Sequence, residues 1–334
     1  MKKFSAIVYI VIIAISIPLY LLMLHNLSSI LILITNFIVG IYLLVKGSDY
    51  FVEGAASIAA HKKISQHTIG LTLVALATSL PEFAVSTIAS ASNHPVTAWG
   101  NAVGSNIANI GLVLGIAAVL MPLSLSKHVK KDAAILVTVT GILILIALIT
   151  REIAWWAGLL FIGIYGAYLW EIRKREEDVE SVPIEHSWLW SWIYTIFGAI
   201  GIVWGAKVVV ESAVNLAIVL HIPEIIIAIT AIAIGTSLPE MATSVTAALK
   251  KKYGIAVGNV IGSNIFNTLI VLGGASLFNP IKVPMNDIVF NSTFLGIFTV
   301  AAALMCIKKK IRRFEGFALI LLYIIFFVFL LYYS

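Results

Sequence analysis

Apolar residues run along this chain in stretches long enough to cross a bilayer, separated by short polar turns. A helix needs roughly 20 apolar residues to traverse the hydrocarbon core. On that measure the pattern predicts eleven spans, near 4–24, 29–59, 67–91, 97–122, 132–150, 153–172, 188–219, 224–248, 255–279, 286–307 and 315–333. The second and seventh exceed the bilayer thickness and are expected to tilt or to extend beyond it. The longest polar segment, Arg173 to His186, is too short and too charged to hold a core, so no separate soluble domain is expected.

Composition agrees with the pattern. Of 334 residues, 60% are hydrophobic and 11% charged, against about a quarter charged in soluble domains. The formal net charge of +6 acquires meaning only from its placement. Of the 22 Lys and Arg residues, eighteen fall in the N-terminal tail and the connections on that side. Only Arg151 and Lys282 fall on the other side, and Lys46 and Lys207 lie within spans. The positive-inside rule then predicts a multi-pass cell-membrane protein with a cytoplasmic N-terminus and an outside C-terminus. The first span lacks a small-x-small cleavage site, so it is read as a retained helix; its removal would leave the orientation of the other ten unchanged. Cys306 is the single cysteine, which excludes an internal disulfide and any multi-cysteine metal site.

Self-comparison reveals a duplication. Residues 71–82 read LTLVALATSLPE and residues 229–240 read ITAIAIGTSLPE; residues 100–109 read GNAVGSNIAN and residues 258–267 read GNVIGSNIFN. Both pairs, and Gly47 with Gly205, share an offset of 158 residues. Each unit holds five spans, and an odd number makes the second copy enter the membrane from the opposite face. The predicted architecture is therefore all-α and integral to the membrane: two inverted-topology repeats of five transmembrane helices plus one extra N-terminal helix. Its boundaries are an extra helix at 1–28, a first repeat at 29–172, a cytoplasmic linker at 173–187 and a second repeat at 188–334. Inverted repeats of this kind belong to secondary transporters, whose sites lie near the midplane where the repeats meet.

Glu82 and Glu240 are the two acids placed deep in the spans, at equivalent positions. A charge at the bilayer centre costs about 2.5–3.5 kcal/mol on insertion scales, so a compensating ligand, proton or aqueous cavity is implied. Each follows a proline, Pro81 or Pro239, which denies the helix a bond and loosens it around Thr78 and Thr236. Carbonyls freed at that depth can line a cavity or bind a cation. Thr78 and Glu82 share a helix face, as do Ser105 with Asn109 and Ser263 with Asn267, each pair four residues apart. Two carboxylates with hydroxyl, amide and backbone oxygens match a hard cation such as calcium. No His or Cys accompanies them, which disfavours zinc and copper. For any one Ser or Asn, an interhelical hydrogen bond is an equal alternative. Gly100, Gly104, Gly258 and Gly262 read as packing residues. Asp49, Glu53 and Glu211 read as groups meeting water or head groups, with ion entry as an alternative.

The paired motifs ATSLPE with GSNIAN and GTSLPE with GSNIFN resemble the two signature repeats of the cation/calcium exchanger superfamily, in particular its prokaryotic sodium/calcium exchangers. The resemblance covers both halves and omits the first helix. It implies a ten-helix core in which two pairs of broken helices enclose four clustered ion sites. By motif, Glu82 and Glu240 would bind calcium, with backbone oxygens from Thr78 and Thr236. Sodium sites would use Ala75, Ser79 and Ser105 and their partners Ala233, Ser237 and Ser263, while Asn109 and Asn267 would line the centre. Ala77 stands where relatives commonly carry Gly, and Asn267 where several carry Asp. The expected activity is antiport of Na+ against Ca2+, without enzymatic chemistry, cofactor or nucleic acid, by a protein working as a monomer in the lipid bilayer. Proton-coupled cation antiport is the nearest rival, a cation channel a remoter one and a membrane-embedded hydrolase the remotest.

Overall fold

In lipid a backbone amide has no water to bond, so an apolar stretch must satisfy its N–H and C=O groups internally, as a helix does. The computed structural model describes residues 2–25, 29–175, 184–221 and 235–333. Its helices are α1 (Lys2–His25), α2 (Ile30–Lys62), α3 (Gln66–Thr78), α4 (Leu80–Ala91), α5 (Pro95–Leu120), α6 (Val129–Thr150), α7 (Trp155–Arg173), α8 (Trp188–Val219), α9 (Leu238–Leu249), α10 (Tyr253–Phe278), α11 (Met285–Cys306) and α12 (Arg313–Tyr333). Eight of these are long and apolar enough to cross a membrane, and α3 with α4, bent by 46° at their junction, make a ninth candidate. Helix α7 has 19 residues, with Trp155, Trp156, Tyr165, Tyr168 and Trp170 diluting its hydropathy. Of the span expected at 224–248 only α9 and the turn before it are described; residues 222–234 lie outside the described set.

Burial sorts the helices into centre and periphery. In the most apolar window of α10, 94% of residues are buried, and in that of α5 72%, whereas α1 buries 22%. Helices α5 and α10, the two that carry the GSN motifs, therefore form the middle of the molecule. Two-residue strands fasten the connections. β1 (Leu123–Ser124) pairs antiparallel with β4 (Lys310–Ile311), and β2 (Glu152–Ile153) pairs antiparallel with β3 (Ile281–Lys282).

The two long helices, α2 and α8, run antiparallel along a seam of glycines. A β-carbon on Gly47 would lie 2.9 Å from the Gly198 carbonyl oxygen, and one on Gly205 2.8 Å from that of Gly40. Small residues let backbones approach in this way where no solvent drives helices together. Helix α1 covers this pair. Its Tyr9 hydroxyl donates to the Leu43 carbonyl at 2.9 Å, and Asn36 Nδ2 donates back to the Leu19 carbonyl at 3.2 Å. Trp204 Nε1 donates to Ser16 Oγ at 2.8 Å, and the Tyr20 hydroxyl donates to Glu211.

Asp132, at the start of α6, is a third fully buried acid that the hydropathy pattern left at a span edge. It accepts from Arg175 at 2.7 and 3.0 Å and from the Tyr168 hydroxyl at 3.1 Å, and meets His67 Nε2 at 2.8 Å. Burial weakens the charged form of Arg175, but hydrogen bonds to Glu171 and Asp132 outweigh it and hold the guanidinium above its ordinary pKa. The group is thus a fixed cation closing the end of α7.

The glycine seam yields a test. Gly47→Leu is expected to destabilise the protein by about 1–3 kcal/mol, because the added side chain drives into the backbone of α8. Gly163→Leu, on a site with nothing within 4 Å among the described residues, is the matched control and is expected to leave stability nearly unchanged. Thermal unfolding of the purified protein in detergent reads both; equal loss in the two variants would contradict the seam.

Candidate cation site

Each of the two acids sits where a proline has cut a helix. Pro81 and Pro239 occupy the first turn of α4 and α9, where a missing N–H costs nothing because no intrahelical acceptor exists there. Helix α3 ends at Thr78, and the chain turns at Ser79 with φ −90° and ψ 7°. Ser237 repeats the turn before α9 with φ −85° and ψ 1°. The break expected around Thr78 and Thr236 therefore falls one residue later, at the serines. It places Glu82 and Glu240 in the first turn of a helix, where unpaired N–H groups and the helix dipole favour negative charge. Both acids are completely buried.

The two motifs interlock. Ser79 Oγ donates to Glu240 Oε1 at 2.8 Å, so the residue that breaks the first helix binds the acid of the second. Thr78 Oγ1 donates to Asn259 Oδ1 at 3.1 Å, and Ser105 Oγ lies 3.2 Å from Thr236 Oγ1. With its hydroxyl so engaged, Thr78 has its backbone carbonyl left to offer. Ala75 is buried where α3 passes Gly262 of α10; a β-carbon on that glycine would lie 2.7 Å from the Ala75 β-carbon. Ala233, the counterpart, lies outside the described residues.

Two asparagines that the sequence reading did not single out hold the acids in place. Asn101 Nδ2 donates to the Glu82 carbonyl at 3.1 Å and to Ser86 Oγ at 2.9 Å. Asn259 Nδ2 repeats the pattern with the Glu240 carbonyl at 3.4 Å and Ser244 Oγ at 2.9 Å. Both are fixed by the same 158-residue offset that marked the glutamates, and that was the signal available for them.

The remaining candidates stand where the central helices widen. Asn109 and Asn267 each begin a π-helical turn, Asn109–Leu114 in α5 and Asn267–Val271 in α10. Such turns insert an extra residue and recur at functional sites. Both asparagines are completely buried. Among the described residues no partner meets either oxygen of Glu82, Glu240 Oε2, Ser237 Oγ, Ser263 Oγ or the side-chain amides of Asn109 and Asn267. Buried polar atoms are normally paired, and a concentration of unpaired oxygens beside two carboxylates has the donor chemistry of a hard-cation shell. Of the four packing glycines, Gly258 and Gly262 lie against α3, at 2.6 Å from the His67 and Leu71 carbonyl oxygens for an added β-carbon. Gly100 and Gly104 meet nothing within 4 Å among the described residues; the positions equivalent to His67 and Leu71 are 225 and 229, outside that set.

A polytopic helical protein with two enclosed acids among unpaired oxygens is of the class that handles cations within the membrane. The family model for the sodium/calcium exchanger protein matches residues 32–172 and 190–332, and this chain belongs to that family. The sodium/calcium exchanger MaX1 of Methanosarcina acetivorans is 32% identical, over 89% of this chain and 99% of the relative. A membrane protein of Methanocaldococcus jannaschii is 35% identical, over 86% of this chain and 95% of its own length. The solved structure of the sodium-calcium exchanger NCX_Mj superposes with a TM-score of 0.80 at 33% identity, covering 89% of this chain and 98% of that one. Helix α1 precedes the first residue that the family model matches.

The asparagine clamps predict a paired effect. Asn101→Ala and Asn259→Ala each remove the donor to a buried carbonyl and to a serine, and each is expected to cost about 1–3 kcal/mol. Thermal unfolding should fall by similar amounts in the two variants. A loss in one and none in the other would show that the mirrored bonds are not equivalent.

Proposed function

We propose that this chain is a Na+/Ca2+ antiporter that works by alternating access, with Ca2+ held between Glu82 and Glu240. The observation that carries the proposal is the cross-bonding of the two broken helices, Ser79 to Glu240 and Thr78 to Asn259, which encloses both acids among unpaired oxygens. Glu82, Glu240 and the carbonyls of Thr78 and Thr236 form the Ca2+ position. Ala75, Ser79 and Ser105, with Ala233, Ser237 and Ser263, flank it as Na+ positions, and Asn109 and Asn267 line the centre.

The architecture proposed is eleven spans: an extra helix at 1–28, repeats at 29–172 and 188–334, and a cytoplasmic linker at 173–187. Strand pairing supports the inversion. β1 and β2 lie at opposite ends of α6, and β3, the counterpart of β1 at the 158-residue offset, pairs with β2. Counterpart connections at opposite ends are what inverted copies require. The Lys and Arg distribution supports a cytoplasmic N-terminus. The protein acts as a monomer, since the proposed site is built from one chain.

Charge sets the direction. With both carboxylates ionised, one Ca2+ leaves the site neutral, whereas three Na+ leave it with one positive charge. Inward Na+ movement then gains about 2.3 kcal/mol per charge per 100 mV from a negative-inside potential, which favours Ca2+ efflux.

The test is Ca2+ uptake into Na+-loaded proteoliposomes diluted into Na+-free buffer. Uptake is expected to need the Na+ gradient and to fall to background in Glu82→Gln and in Glu240→Gln. Uptake driven by a pH gradient and indifferent to Na+ would replace Na+ by H+ as the coupling ion. Unimpaired variants would remove both acids from the transport site.

A further inference from the structure

Away from the acids, where α3, α6 and α10 begin, lies a cavity of about 180 Å³ lined by Ser65, His67, Ser126, Lys127, His128 and Lys251 among others. Its described lining contains no Asp or Glu. Two helices start in its wall. Gln66 opens α3, where Ser65 Oγ accepts from the Thr68 amide, and Tyr253 and Gly254 open α10, whose N-terminus has no side-chain cap among the described residues. Unpaired N–H groups and the positive ends of helix dipoles make such places receptive to anions.

A buried side chain gives this basic setting a specific donor. His67 is 2% exposed, and its Nε2 lies 2.8 Å from Asp132 Oδ2, an arrangement that puts the ring proton on Nε2. Nδ1 is buried, has no partner among the described residues, and belongs to a residue of the cavity wall. It is the atom left to accept from a phosphate hydroxyl. Asp132, the acid in contact with the ring, is itself engaged by Arg175 and the Tyr168 hydroxyl. The position of His67 is fixed by packing: a β-carbon on Gly254 would lie 2.8 Å from the His67 amide nitrogen.

We propose that this cavity is an anion site for a phosphate group, with Lys127 and Lys251 from separate connections and His67 Nδ1 as its partners. The proposal does not rest on the transport reading, since none of these residues belongs to the cation site. Tetrahedral phosphate suits the setting because it accepts from several directions, and hydrogen bonds to a charged partner are roughly twice as strong as neutral ones. Occupancy would tie the start of α3, whose far end carries Thr78, to the start of α10, which carries Asn259 and Ser263. The phosphate is either free in solution or the head group of a phosphomonoester lipid.

The experiment uses the full-length protein in nanodiscs, as wild type and as the double variant K127Q/K251Q. Both lysines are exposed, so the variant is expected to fold. In discs of phosphatidylcholine alone, inorganic phosphate is titrated calorimetrically, with chloride at equal ionic strength as control. In a second arm, the lipid retained from a mixture of phosphatidylcholine and phosphatidic acid is measured by mass spectrometry. Saturable phosphate binding assigns the site to the free ion, and selective retention of phosphatidic acid without it assigns the site to a head group. Either must weaken about tenfold or more in the double variant, since it loses two charge-assisted bonds. Binding of neither probe, or binding that the double variant retains in full, would overturn the proposal.

Discussion

Two carboxyl groups are buried in the interior of a protein whose helices are apolar enough to cross a membrane, and the surrounding structure follows from the need to hold them there. An unpaired buried charge is prohibitively costly. The chain answers with local devices at both positions. Proline breaks the helix, so that the acid lies at a helix start rather than mid-helix. An asparagine from the following helix takes the acid's own carbonyl, and a serine from the opposite half reaches at least one of the two carboxylates. The dipole of a helix start contributes on the order of 1 kcal/mol, well below the cost of burying a charge. The balance of that cost has to be met by a cation, a proton or water, and this ties the fold to its cargo.

The proline breaks and asparagine clamps lie within one half, but the hydroxyl contacts cross between the halves. Ser79 and Thr78 of the first half bind Glu240 and Asn259 of the second, and Ser105 meets Thr236. The same exchange recurs at the periphery, where Leu123 registers with Ile311 and Ile153 with Ile281. These two pairings are images of each other at the repeat offset. Even the long helices meet symmetrically, Gly40 against Gly205 and Gly47 against Gly198. In the alternating-access cycle proposed above, a pseudo-symmetric pair in which each half supports the other would supply two related arrangements, the physical basis for opening to either side.

Much of this was legible in the sequence because rare polar residues in an apolar chain carry information. The repeat, the helix breaks and the paired acids are visible as ATSLPE and GTSLPE at a fixed offset. The clamp residues Asn101, Asn259, Ser86 and Ser244 obey the same offset, but an asparagine in a membrane helix reads equally well as helix glue until its partner is known. Asp132 was hidden for another reason. It lies at the end of an apolar run, where hydropathy marks a boundary, and its burial depends on His67 and Arg175, which are distant in sequence. The π-helical turns after Asn109 and Asn267 leave no signature in composition, since the residues around them are ordinary helix formers of a bilayer.

The first helix shows how contacts assign an element that motifs leave without a role. It lies before the matched family region, and the hydropathy pattern alone makes it one more span. Six polar contacts join it to the two long helices: Ser5 to Tyr50, Tyr9 to Leu43, Leu19 to Asn36, Ser16 to Trp204, Tyr20 to Glu211 and Met23 to Ser212. The Tyr9 ring also fills the space beside Gly47 and Gly201, so a side chain at either glycine would collide with it. Hydrogen bonds of this kind are individually modest in a membrane, about 0.6 kcal/mol on average, but six of them with a ring seated in a glycine notch bind α1 to the pair. Any displacement of α2 and α8 past the site helices would therefore carry α1 with it, as a body of three helices rather than two.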